Sequence, residues 1–407
     1  MKNCCANTFT QRGKIAAQIH LPEGEKWSVN TFTRRGNTLL HVLKQVFEKL
    51  YCNIIKKCIF TIIKKIPTVQ KRISIKDIAN AAGVSTTTVS FVLNNQGPEK
   101  RISASLEKHV REIAEKMHYT PNLLAKSLRT GKTNTIGLVV EDIANTFFSN
   151  IAKTIEEKAM SSDYRIFYCS TNGVPQRAKD MLHLLTERKV DGFIITPTQD
   201  LEEDIIGLQN KEIPFVLMDR FYPNLNTNYV LSNNYKGAKS AADHLLENGH
   251  SNIAIVTTDS NQIQMRDRLN GFRDTLTKKN ITIKDDDILI VPYDSTPKKA
   301  VQLIEKHLLK KYSAVFFCTN YLGIYGIEAI NNLKFNIPTD LSVVCYDEHE
   351  VFRLHQPAIT CVAQPLQAIG EAAIEFLINN MSKKETTTQQ KTFDCMLMKR
   401  GSVLNKQ

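Results

Sequence analysis

The chain has 407 residues, of which 42% are hydrophobic and 23% are charged. This length exceeds one typical domain, and the composition argues against disordered, collagen-like and coiled-coil classes. The nine cysteines include no C-x2-C pair, so neither a zinc site nor a disulfide framework is indicated. A reducing, cytoplasmic setting is therefore expected.

The net charge of +12 is unevenly distributed along the chain. Residues 1–72 carry 14 Lys and Arg against 3 Asp and Glu, residues 73–133 carry 9 against 5, and residues 134–407 carry 30 against 33. Such a basic segment is typical of contact with a polyanion, with nucleic acid as the first expectation. The alternative is a solubilising tail.

The first 72 residues form a basic extension with two interpretations. Residues 1–35 show no pattern, whereas apolar residues recur at helical spacing in residues 38–66, which predicts a basic amphipathic helix. Such a helix would bind a membrane surface or a partner. The other interpretation is that the extension is disordered, or is translated from a start codon assigned too far upstream.

The start of the chain constrains both interpretations. No Met lies between Met1 and Met117, so a later start would need a codon other than AUG, with Val69 as one candidate. Residues 1–30 lack the apolar stretch of a secretory signal, and the apolar run at residues 58–63 is too short to span a bilayer. A soluble protein is expected.

Residues 73–121 predict three short helices. The first begins at the capping residue Ser74 and ends at Gly83, and Ser85 caps the second. Ser103 opens the third helix. Two short helices joined by a Gly-containing turn and backed by a third form a helix-turn-helix unit, a common DNA-binding motif.

From residue 134 onward, short apolar runs alternate with helical stretches, which predicts parallel sheets with crossover helices. The eight predicted strands lie at residues 135–140, 165–169, 192–195, 214–218, 252–256, 288–291, 314–317 and 341–345. Eight strands are more than one open parallel sheet readily holds. We therefore predict two doubly wound lobes, with the boundary between them near residues 231–234. A ligand cleft is expected between the lobes, at the carboxyl ends of the strands.

Residues 75–94 and 119–128 resemble the lactose-repressor/galactose-repressor family of bacterial transcription regulators. The resemblance covers residues 73–402 in order. Further matching segments are residues 145–148, 190–194, 218–220, 249–250, 268–272, 344–347 and 399–402. A helix-turn-helix alone is a moderate signal, whereas this ordered series is highly specific.

The resemblance implies an α/β fold with an N-terminal helix-turn-helix headpiece and a two-lobed, periplasmic-binding-protein-like core of parallel sheets. The implied segments are the headpiece at 73–121, a hinge helix and linker at 122–133, and the core at 134–402, with lobe 1 at 134–232 and 363–394 and lobe 2 at 233–362 and 395–402. It also implies a cytoplasmic homodimer that binds a near-palindromic DNA operator and a small-molecule effector, expected to be a sugar, with no cofactor or metal. Only seven residues follow Arg400, so a C-terminal coiled coil is not expected, and a dimer is expected rather than a tetramer.

The residues that match DNA-contact positions of the family lie in the second helix and in the hinge helix. They are Ser85, Thr86, Thr87, Phe91, Asn94, Ala125, Leu128 and Arg129. The resemblance implies that Thr86, Thr87 and Phe91 read base edges in the major groove. Ser85 and Asn94 would hold phosphates.

Two of these positions carry particular expectations. Phe91 stands where the family often has Arg, so contact with a thymine methyl group would replace guanine reading; the alternative is a Phe in the headpiece core. Leu128 matches the leucine that wedges into the minor groove at the operator centre, where an apolar side chain unstacks and kinks DNA.

The residues that match effector contacts are Phe147, Phe148, Asp219, Arg268, Asn320 and Asp347. Charged groups bind ligand hydroxyls and aromatic faces cover ring carbons, as sugar-like ligands need. The alternative for each is a structural ion pair or a core ring. Tyr321 replaces an Asp, and Cys345 a Gly, that family members often carry, so the ligand's identity stays open.

Other classes of function fit the sequence less well. No dinucleotide, P-loop or nucleophile-elbow signature occurs, and the spacing from His349 to His355 is too long for a zinc-binding helix. The adjacent carboxylates Glu141 and Asp142 are interpreted as loop or cap residues. Two alternatives are a transport-type solute-binding protein, which would lack the headpiece, and a ligand sensor that does not bind DNA.

Overall fold

The computed structural model describes residues 6–11, 14–20, 26–31, 73–120, 127, 130–382 and 387–406. Contacts divide the chain into two units, Met1–Thr120 and Pro121–Gln407. Within the described residues, no helix is both long enough and apolar enough to cross a membrane.

The N-terminal extension contains a small antiparallel sheet. Its strands, in the order β1-β2-β3, are β1 (Ala6–Gln11), β2 (Lys14–His20) and β3 (Lys26–Thr31). The sequence predicted no regular element in residues 1–35, so the sheet differs from that expectation. Ile15, Ala17 and Ile19 show the period-two spacing of a strand, which a search for helical spacing does not detect. The helix predicted at residues 38–66 lies outside the described residues.

The headpiece contains the three predicted helices, α1 (Ile75–Ala82), α2 (Thr86–Leu93) and α3 (Ala104–Lys116). Each begins after a serine whose side chain accepts a backbone N–H of the first turn, at 3.3 Å for Ser74, 3.0 Å for Ser85 and 3.3 Å for Ser103. Gly83 ends α1 at a φ of +66°, a left-handed conformation that glycine adopts most easily. The capping residues therefore fix the short turn between α1 and α2.

The three helices pack around one apolar cluster. Ile78 of α1, Val89 and Val92 of α2, and Val110 of α3 are fully buried in it. Arg111 of α3 strengthens the packing, because its guanidinium donates to the Val92 carbonyl at 2.8 Å. Helix α2 is thus held rigidly against the other two.

The core unit contains two six-stranded sheets. Their strands are β4 (Thr135–Val140), β5 (Arg165–Ser170), β6 (Gly192–Ile195), β7 (Phe215–Met218), β8 (Tyr229–Ser232), β9 (Ile253–Thr258), β10 (Ile288–Val291), β11 (Ala314–Phe317), β12 (Ser342–Tyr346), β13 (Thr360–Ala363), β14 (Gln390–Phe393) and β15 (Met396–Met398). The lobe 1 sheet has the order β14-β8-β7-β6-β4-β5 and is parallel throughout. The lobe 2 sheet has the order β10-β9-β11-β12-β13-β15, with only β15 antiparallel to its neighbour.

The helices of the core cover both faces of each sheet. They are α4 (Thr146–Ser161), α5 (Pro175–Glu187), α6 (Glu202–Asn210), α7 (Asn234–Glu247), α8 (Ile263–Lys278), α9 (Pro297–Leu308), α10 (Asn320–Asn332), α11 (Glu350–Leu354) and α12 (Leu366–Met381). In lobe 1, α4 and α12 pack on one face, and α5 and α6 on the other. In lobe 2, α7 and α8 oppose α9 and α10. The two doubly wound lobes that the sequence predicted are present.

All eight predicted strands are present, and the structure adds β8, β13, β14 and β15. The added strands have only three or four residues each. The β14 residues Gln390–Phe393 are mostly exposed at a sheet edge and carry no apolar run. Such strands are defined by their neighbours in the sheet, so local hydrophobic pattern does not reveal them.

The chain passes between the two lobes three times. We call residues 232–234, after β8, crossing 1, residues 363–366, after β13, crossing 2, and residues 393–396, after β14, crossing 3. Any change in the angle between the lobes must be absorbed at these crossings.

Helices α7 and α8 approach each other most closely at Gly271. A Cβ atom there would overlap the carbonyl oxygen of Tyr235, which is backbone and cannot rotate away. We expect Gly271→Ala to lower the free energy of unfolding by about 1–3 kcal/mol, because overpacking strains a close-packed core. Urea unfolding of the full chain measures this change.

Gly207→Ala on α6 is the matched control, since no heavy atom lies within 4 Å of the Cβ position there. Ala favours a helix over Gly, so this variant should be more stable by about 0.5–1 kcal/mol. Equal effects of the two substitutions would contradict the close helix approach.

Candidate ligand cleft and DNA-binding headpiece

A cavity lies between the two lobes, at the carboxyl ends of the strands. It encloses about 470 Å³, counting its open mouth. All six predicted effector residues line it, namely Phe147, Phe148, Asp219, Arg268, Asn320 and Asp347. Asp219 directly follows β7 of lobe 1, and Asp347 directly follows β12 of lobe 2. The strand ends of a parallel fold therefore bring these side chains together.

Arg268 and Asp347 form a buried ion pair in lobe 2. The two residues are 4% and 7% exposed, and Arg268 Nη1 donates to Asp347 Oδ2 at 3.1 Å. Arg268 also donates through Nη1 to the Cys318 carbonyl and through Nε to Asn234 Oδ1, both at 2.8 Å. The guanidinium is thus held in one orientation by a carboxylate, a carbonyl and an amide.

Tyr346 lies beneath this pair. The guanidinium carbon of Arg268 is 3.8 Å from the Tyr346 ring centroid, within the range of a cation–π contact. Burial, the largest single effect, disfavours the Arg268 charge, but the attraction of Asp347 together with Tyr346 and Asp219 holds the pKa of Arg268 above its ordinary value. Arg268 therefore stays charged in the closed interior.

A second charged cluster comes from lobe 1. Arg220 donates to Glu141 through Nη2 and to Asp219 through Nε, the latter at 3.2 Å. Glu141 and Asp142 lie in the loop after β4, as predicted, and the Glu141 side chain in addition lines the cavity and is ion-paired with Arg220. Its position immediately after β4, at the same sheet edge as Asp219, is the signal that could have identified it.

The pKa values of the two acids in this cluster are shifted in opposite directions. Burial alone would raise the pKa of Glu141, but attraction to Arg220 and hydrogen bonds from Arg220 and Tyr293 lower it below the ordinary 4.5. Burial raises the pKa of Asp219, and Arg220 and Arg268 offset this only in part. Glu141 is therefore the permanently charged partner of Arg220 near neutral pH.

Two hydrogen bonds join the lobes directly across the cleft. The Tyr293 hydroxyl, which follows β10 in lobe 2, donates to Glu141 Oε1 of lobe 1 at 2.8 Å. Asn320 Nδ2 of lobe 2 donates to Asn145 Oδ1 of lobe 1 at 3.0 Å. We call these two bonds the cleft latch.

Aromatic rings and amides complete the lining. Phe147 and Phe148 meet edge to face with centroids 4.9 Å apart. Tyr321 also lines the cavity. Gln264 is 5% exposed, and its Nε2 donates to Gln262 Oε1 at 2.9 Å, whereas its own Oε1 is buried with no hydrogen-bond partner among the described residues. An unpaired buried acceptor at a cavity wall invites a donor from a ligand.

Several lining residues were not predicted from sequence to contact a ligand. They are Glu141, Asn145, Arg220, Thr258, Gln262, Gln264, Met265, Tyr293 and Thr319. Cys345, in contrast, is fully buried and is not part of the lining. A Cβ at Gly323 of α10 would lie 2.7 Å from the Cys345 sulfur, so the missing side chain of Gly323 makes room for this Cys.

In the headpiece, the first turn of α2 is open to solvent. Thr86 and Thr87 are exposed, as are Ser85 and Asn94. Ser85 Oγ caps α2, and Asn94 Nδ2 donates to the Ser90 carbonyl at 2.7 Å. This half of α2 can therefore approach a flat or grooved partner without rearrangement.

Phe91 is half-buried and is not one of the residues that pack in the headpiece core cluster. The Lys100 ammonium lies 5.5 Å from its ring centroid. These facts do not favour the interpretation of Phe91 as a core side chain. The predicted hinge-helix contacts Ala125, Leu128 and Arg129 lie outside the described residues.

The geometry of the described residues does not indicate a metal site. Among the residues that the structure describes, no group of three or more His, Cys, Asp and Glu side chains could hold a metal ion. The cleft instead offers carboxylates, guanidinium groups, amides and aromatic rings, which bind organic ligands.

A helix-turn-helix headpiece on one chain with a two-lobed core around a polar cleft defines a DNA-binding regulator that responds to a ligand. The pattern of bacterial regulatory proteins of the lacI family matches residues 74–122, and that of a periplasmic binding protein-like domain matches residues 242–403. The chain belongs to the lacI family of bacterial regulatory proteins.

Similar curated proteins are transcriptional repressors. The HTH-type transcriptional repressor PurR of Aliivibrio fischeri (strain MJ11) is 31% identical over 337 residues, which span 82% of this chain and 99% of the relative. The repressor of the same name from Haemophilus influenzae (strain PittEE) is 28% identical over 320 residues, covering 78% and 94%. The chain is thus a transcriptional regulator with a DNA-binding headpiece and a ligand-binding core.

Solved structures show the same fold. The lac repressor dimer bound to operator and the anti-inducer ONPF has a TM-score of 0.73 at 22% identity, covering 82% of this chain and all of that one. A LacI family transcriptional regulator from Enterococcus faecium with bound ribose has a TM-score of 0.61 at 25% identity, covering 67% and 100%.

The charge of Glu141 gives the cleft a testable pH dependence. Because its folded-state pKa is lowered from 4.5, its contribution to stability is present above that value and is lost as the pH falls below it. We expect Glu141→Gln to reduce stability at neutral pH by about 1–3 kcal/mol, since hydrogen bonds to charged groups are lost. The melting temperature of the variant should then fall less steeply than that of the wild type on acidification below pH 4.5.

Glu187→Gln is the control, because Glu187 lies on the exposed face of α5 and its nearest charged partner is His183 at 3.8 Å. Its acid profile should match that of the wild type. Parallel acid profiles for Glu141→Gln and the wild type would show that the Glu141–Arg220 pair does not stabilise the folded state.

Proposed function

We propose that this regulator acts as a cytoplasmic homodimer, that it represses transcription at a near-palindromic operator, and that a sugar-like ligand in the cleft controls its affinity for DNA. The carrying observation is that one cavity, bounded by both lobes, is lined by all six residues expected to contact an effector. A ligand that touches both lobes stabilises one arrangement of the lobes relative to the others. Such a shift between arrangements is what ligand control of DNA binding requires.

The polar groups of the cleft support a polyhydroxylated ligand. Asp219 and Asp347 accept hydrogen bonds, Arg268 donates, and Asn320 does both. A hydroxyl group also donates and accepts, so a sugar can pair with acids, amide and guanidinium together. Phe147 adds a ring for the apolar face of a pyranose or furanose. The ribose bound to the similar Enterococcus faecium regulator agrees with this class.

A purine or another nitrogenous base is the second candidate. Gln264 offers a buried carbonyl oxygen that has no hydrogen-bond partner within the described part of the chain, and its amide nitrogen donates to Gln262. Adjacent amides suit the alternating N–H and carbonyl edge of a base, and Tyr321 and Phe147 offer flat faces for stacking. The PurR relatives make this candidate worth the same test.

Thermal-shift measurements separate the two candidates, because a ligand that binds only the native state raises the melting temperature. D-ribose and cellobiose would represent sugars, and adenine and guanine would represent bases. A shift with the bases alone would replace the sugar proposal. A shift with none of them would remove the support for both classes.

The headpiece supports operator binding through α2. Thr86 and Thr87 present their side chains to solvent at the first turn, where a recognition helix meets base edges. The backbone N–H groups at the start of α2 favour a phosphate, as helix N-termini do in general. A transport-type solute-binding protein would have no use for this unit, and the repressor relatives support a regulator rather than an enzyme.

The hinge leucine gives a direct test of operator recognition. We expect Leu128→Ala to weaken binding to an operator selected in vitro by at least about tenfold, equivalent to about 1.4 kcal/mol, because the wedge forms only on a deformable central step. Binding to random DNA should change little, since it depends on Lys and Arg charge. Fluorescence anisotropy on both DNAs measures the difference.

Leu309→Ala is the matched control, because Leu309 is 60% exposed at the end of α9 in the core unit. It should leave both affinities unchanged. If Leu128→Ala weakens operator and random DNA by the same factor, Leu128 does not act as a wedge.

Arg268 tests the link between cleft and DNA. Arg268→Lys keeps the charge but loses the planar fork that holds Asp347, so ligand affinity should fall by about tenfold or more. The ligand that stabilises the wild type should then no longer change operator affinity at wild-type saturating concentration. Operator titrations with and without ligand measure this response.

Arg273→Lys, on an exposed position of the same helix, should respond as the wild type does. An unchanged ligand-induced shift in Arg268→Lys would mean that Arg268 does not contact the effector.

A further inference from the structure

The Arg268–Asp347 pair is bonded directly to crossings 1 and 2, and it is connected to crossing 3 through Tyr346. The crossings are the covalent links between lobe 1 and lobe 2 in the part of the core that the structure describes, so a rotation of one lobe must change their conformation. Contacts from a ligand-binding pair to these segments therefore bear directly on the angle between the lobes.

Crossing 1 is held by Asn234. Its Oδ1 accepts Arg268 Nε at 2.8 Å, and its Nδ2 donates to the Ser232 carbonyl at 3.1 Å. Asn234 is only 3% exposed, so solvent cannot replace these bonds. The amide thus connects the guanidinium to the last residue of β8.

Crossing 2 is held by Gln364. Its Nε2 donates to Asp347 Oδ1 at 2.5 Å, and the residue is 8% exposed. Its Oε1 is buried and has no hydrogen-bond partner among the described residues. Leaving a buried acceptor unpaired is unfavourable, so the bond to the Asp347 carboxylate determines how Gln364 is oriented.

Crossing 3 is reached through Tyr346, the fully buried ring beneath Arg268. Its hydroxyl lies 3.3 Å from Cys395 Sγ. Gly237 of α7 permits this contact, because a Cβ there would overlap the Tyr346 hydroxyl and lie 3.1 Å from the Cys395 Cβ. The third link is therefore a packed contact rather than a charged one.

We propose that Asn234 and Gln364 are positioning residues that transmit the state of the Arg268–Asp347 pair to crossings 1 and 2. This inference rests on the proposed ligand site. A ligand hydroxyl that donates to Asp347 competes with Gln364 for the same carboxylate, and a ligand acceptor competes with Asn234 for Arg268. Ligand occupancy and lobe angle are then coupled through two amides, and neither amide needs to touch the ligand.

Hydrogen exchange of the full chain tests this inference without any effector. In Gln364→Met the bond to Asp347 is lost while the side-chain volume is nearly kept. We expect backbone amides of crossings 1 and 3, which are distant in sequence from residue 364, to exchange at least about tenfold faster, as for a loss of about 1.4 kcal/mol. Amides of β6 and β9, at the interior of each sheet, should keep wild-type rates.

Gln367→Met is the matched control, since Gln367 lies three residues away on the exposed face of α12 and bonds only to Glu371. It should leave all three crossings at wild-type rates. Faster exchange confined to crossing 2, or an equal increase in β6 and β9, would overturn the inference, because either result describes local or global destabilisation without transmission.

A variant at crossing 1 keeps the test decisive if Gln364→Met does not fold. Asn234→Ala removes the amide that accepts Arg268 Nε and leaves both members of the Arg268–Asp347 pair in place. Backbone amides of crossings 2 and 3 should then exchange at least about tenfold faster, whereas those of β6 and β9 should keep wild-type rates. Wild-type rates at crossings 2 and 3 in this variant would refute the transmission.

The hydrogen-exchange result and the ligand-binding result can each fail without the other. If D-ribose, cellobiose, adenine and guanine all fail to stabilise the wild type, the ligand proposal fails, yet the exchange result still decides whether the pair controls the crossings. Conversely, a ligand response that persists unchanged in the folded Gln364→Met variant would leave the ligand site intact and remove Gln364 from the coupling.

Discussion

The buried ion pair of Arg268 and Asp347 is the constraint around which the core is arranged. Two charges that are less than a tenth exposed are stable only when each is paired and further hydrogen-bonded. Asn234, the Cys318 carbonyl and Gln364 supply those bonds. Because these partners come from different strands and crossings, satisfying one pair fixes the ends of several elements at once.

The two lobes stabilise their buried charges with similar residues in similar positions. Each places an Asp at the carboxyl end of a parallel strand, Asp219 after β7 and Asp347 after β12, and each Asp has a φ of +68°. Each Asp also pairs with an Arg, Arg220 in lobe 1 and Arg268 in lobe 2. Left-handed backbone at a non-glycine residue costs energy and persists where surrounding contacts impose it, as at ligand sites. The cleft is therefore lined by two matched charged corners.

Sequence analysis identified the charged residues of the lobe 2 corner more completely than those of the lobe 1 corner. Arg268 and Asp347 are identifiable because they lie in segments that resemble a known family, and the strands before them have strong apolar runs. The cleft contacts of Glu141 were not predicted, because its partner Tyr293 is 152 positions away and the contact exists only once two sheets have formed. The short strands β13 and β15 were also missed: β15 has three residues at the edge of the lobe 2 sheet, and β13 is an interior strand whose four residues, Thr360–Ala363, contain no run of large apolar side chains.

The free energies of the bonds between the lobes indicate how a small molecule can control the arrangement of the lobes. The cleft latch consists of two hydrogen bonds, from Tyr293 to Glu141 and from Asn320 to Asn145, and a net hydrogen bond contributes about 0.5–1.5 kcal/mol. Allosteric coupling free energies are typically about 1–3 kcal/mol, which is the same range as the sum of two such bonds. A ligand that replaces the latch with stronger contacts to both lobes therefore has enough differential binding energy to favour one arrangement. The free energy of the latch therefore falls in the range that the proposed ligand control of the lobe arrangement requires.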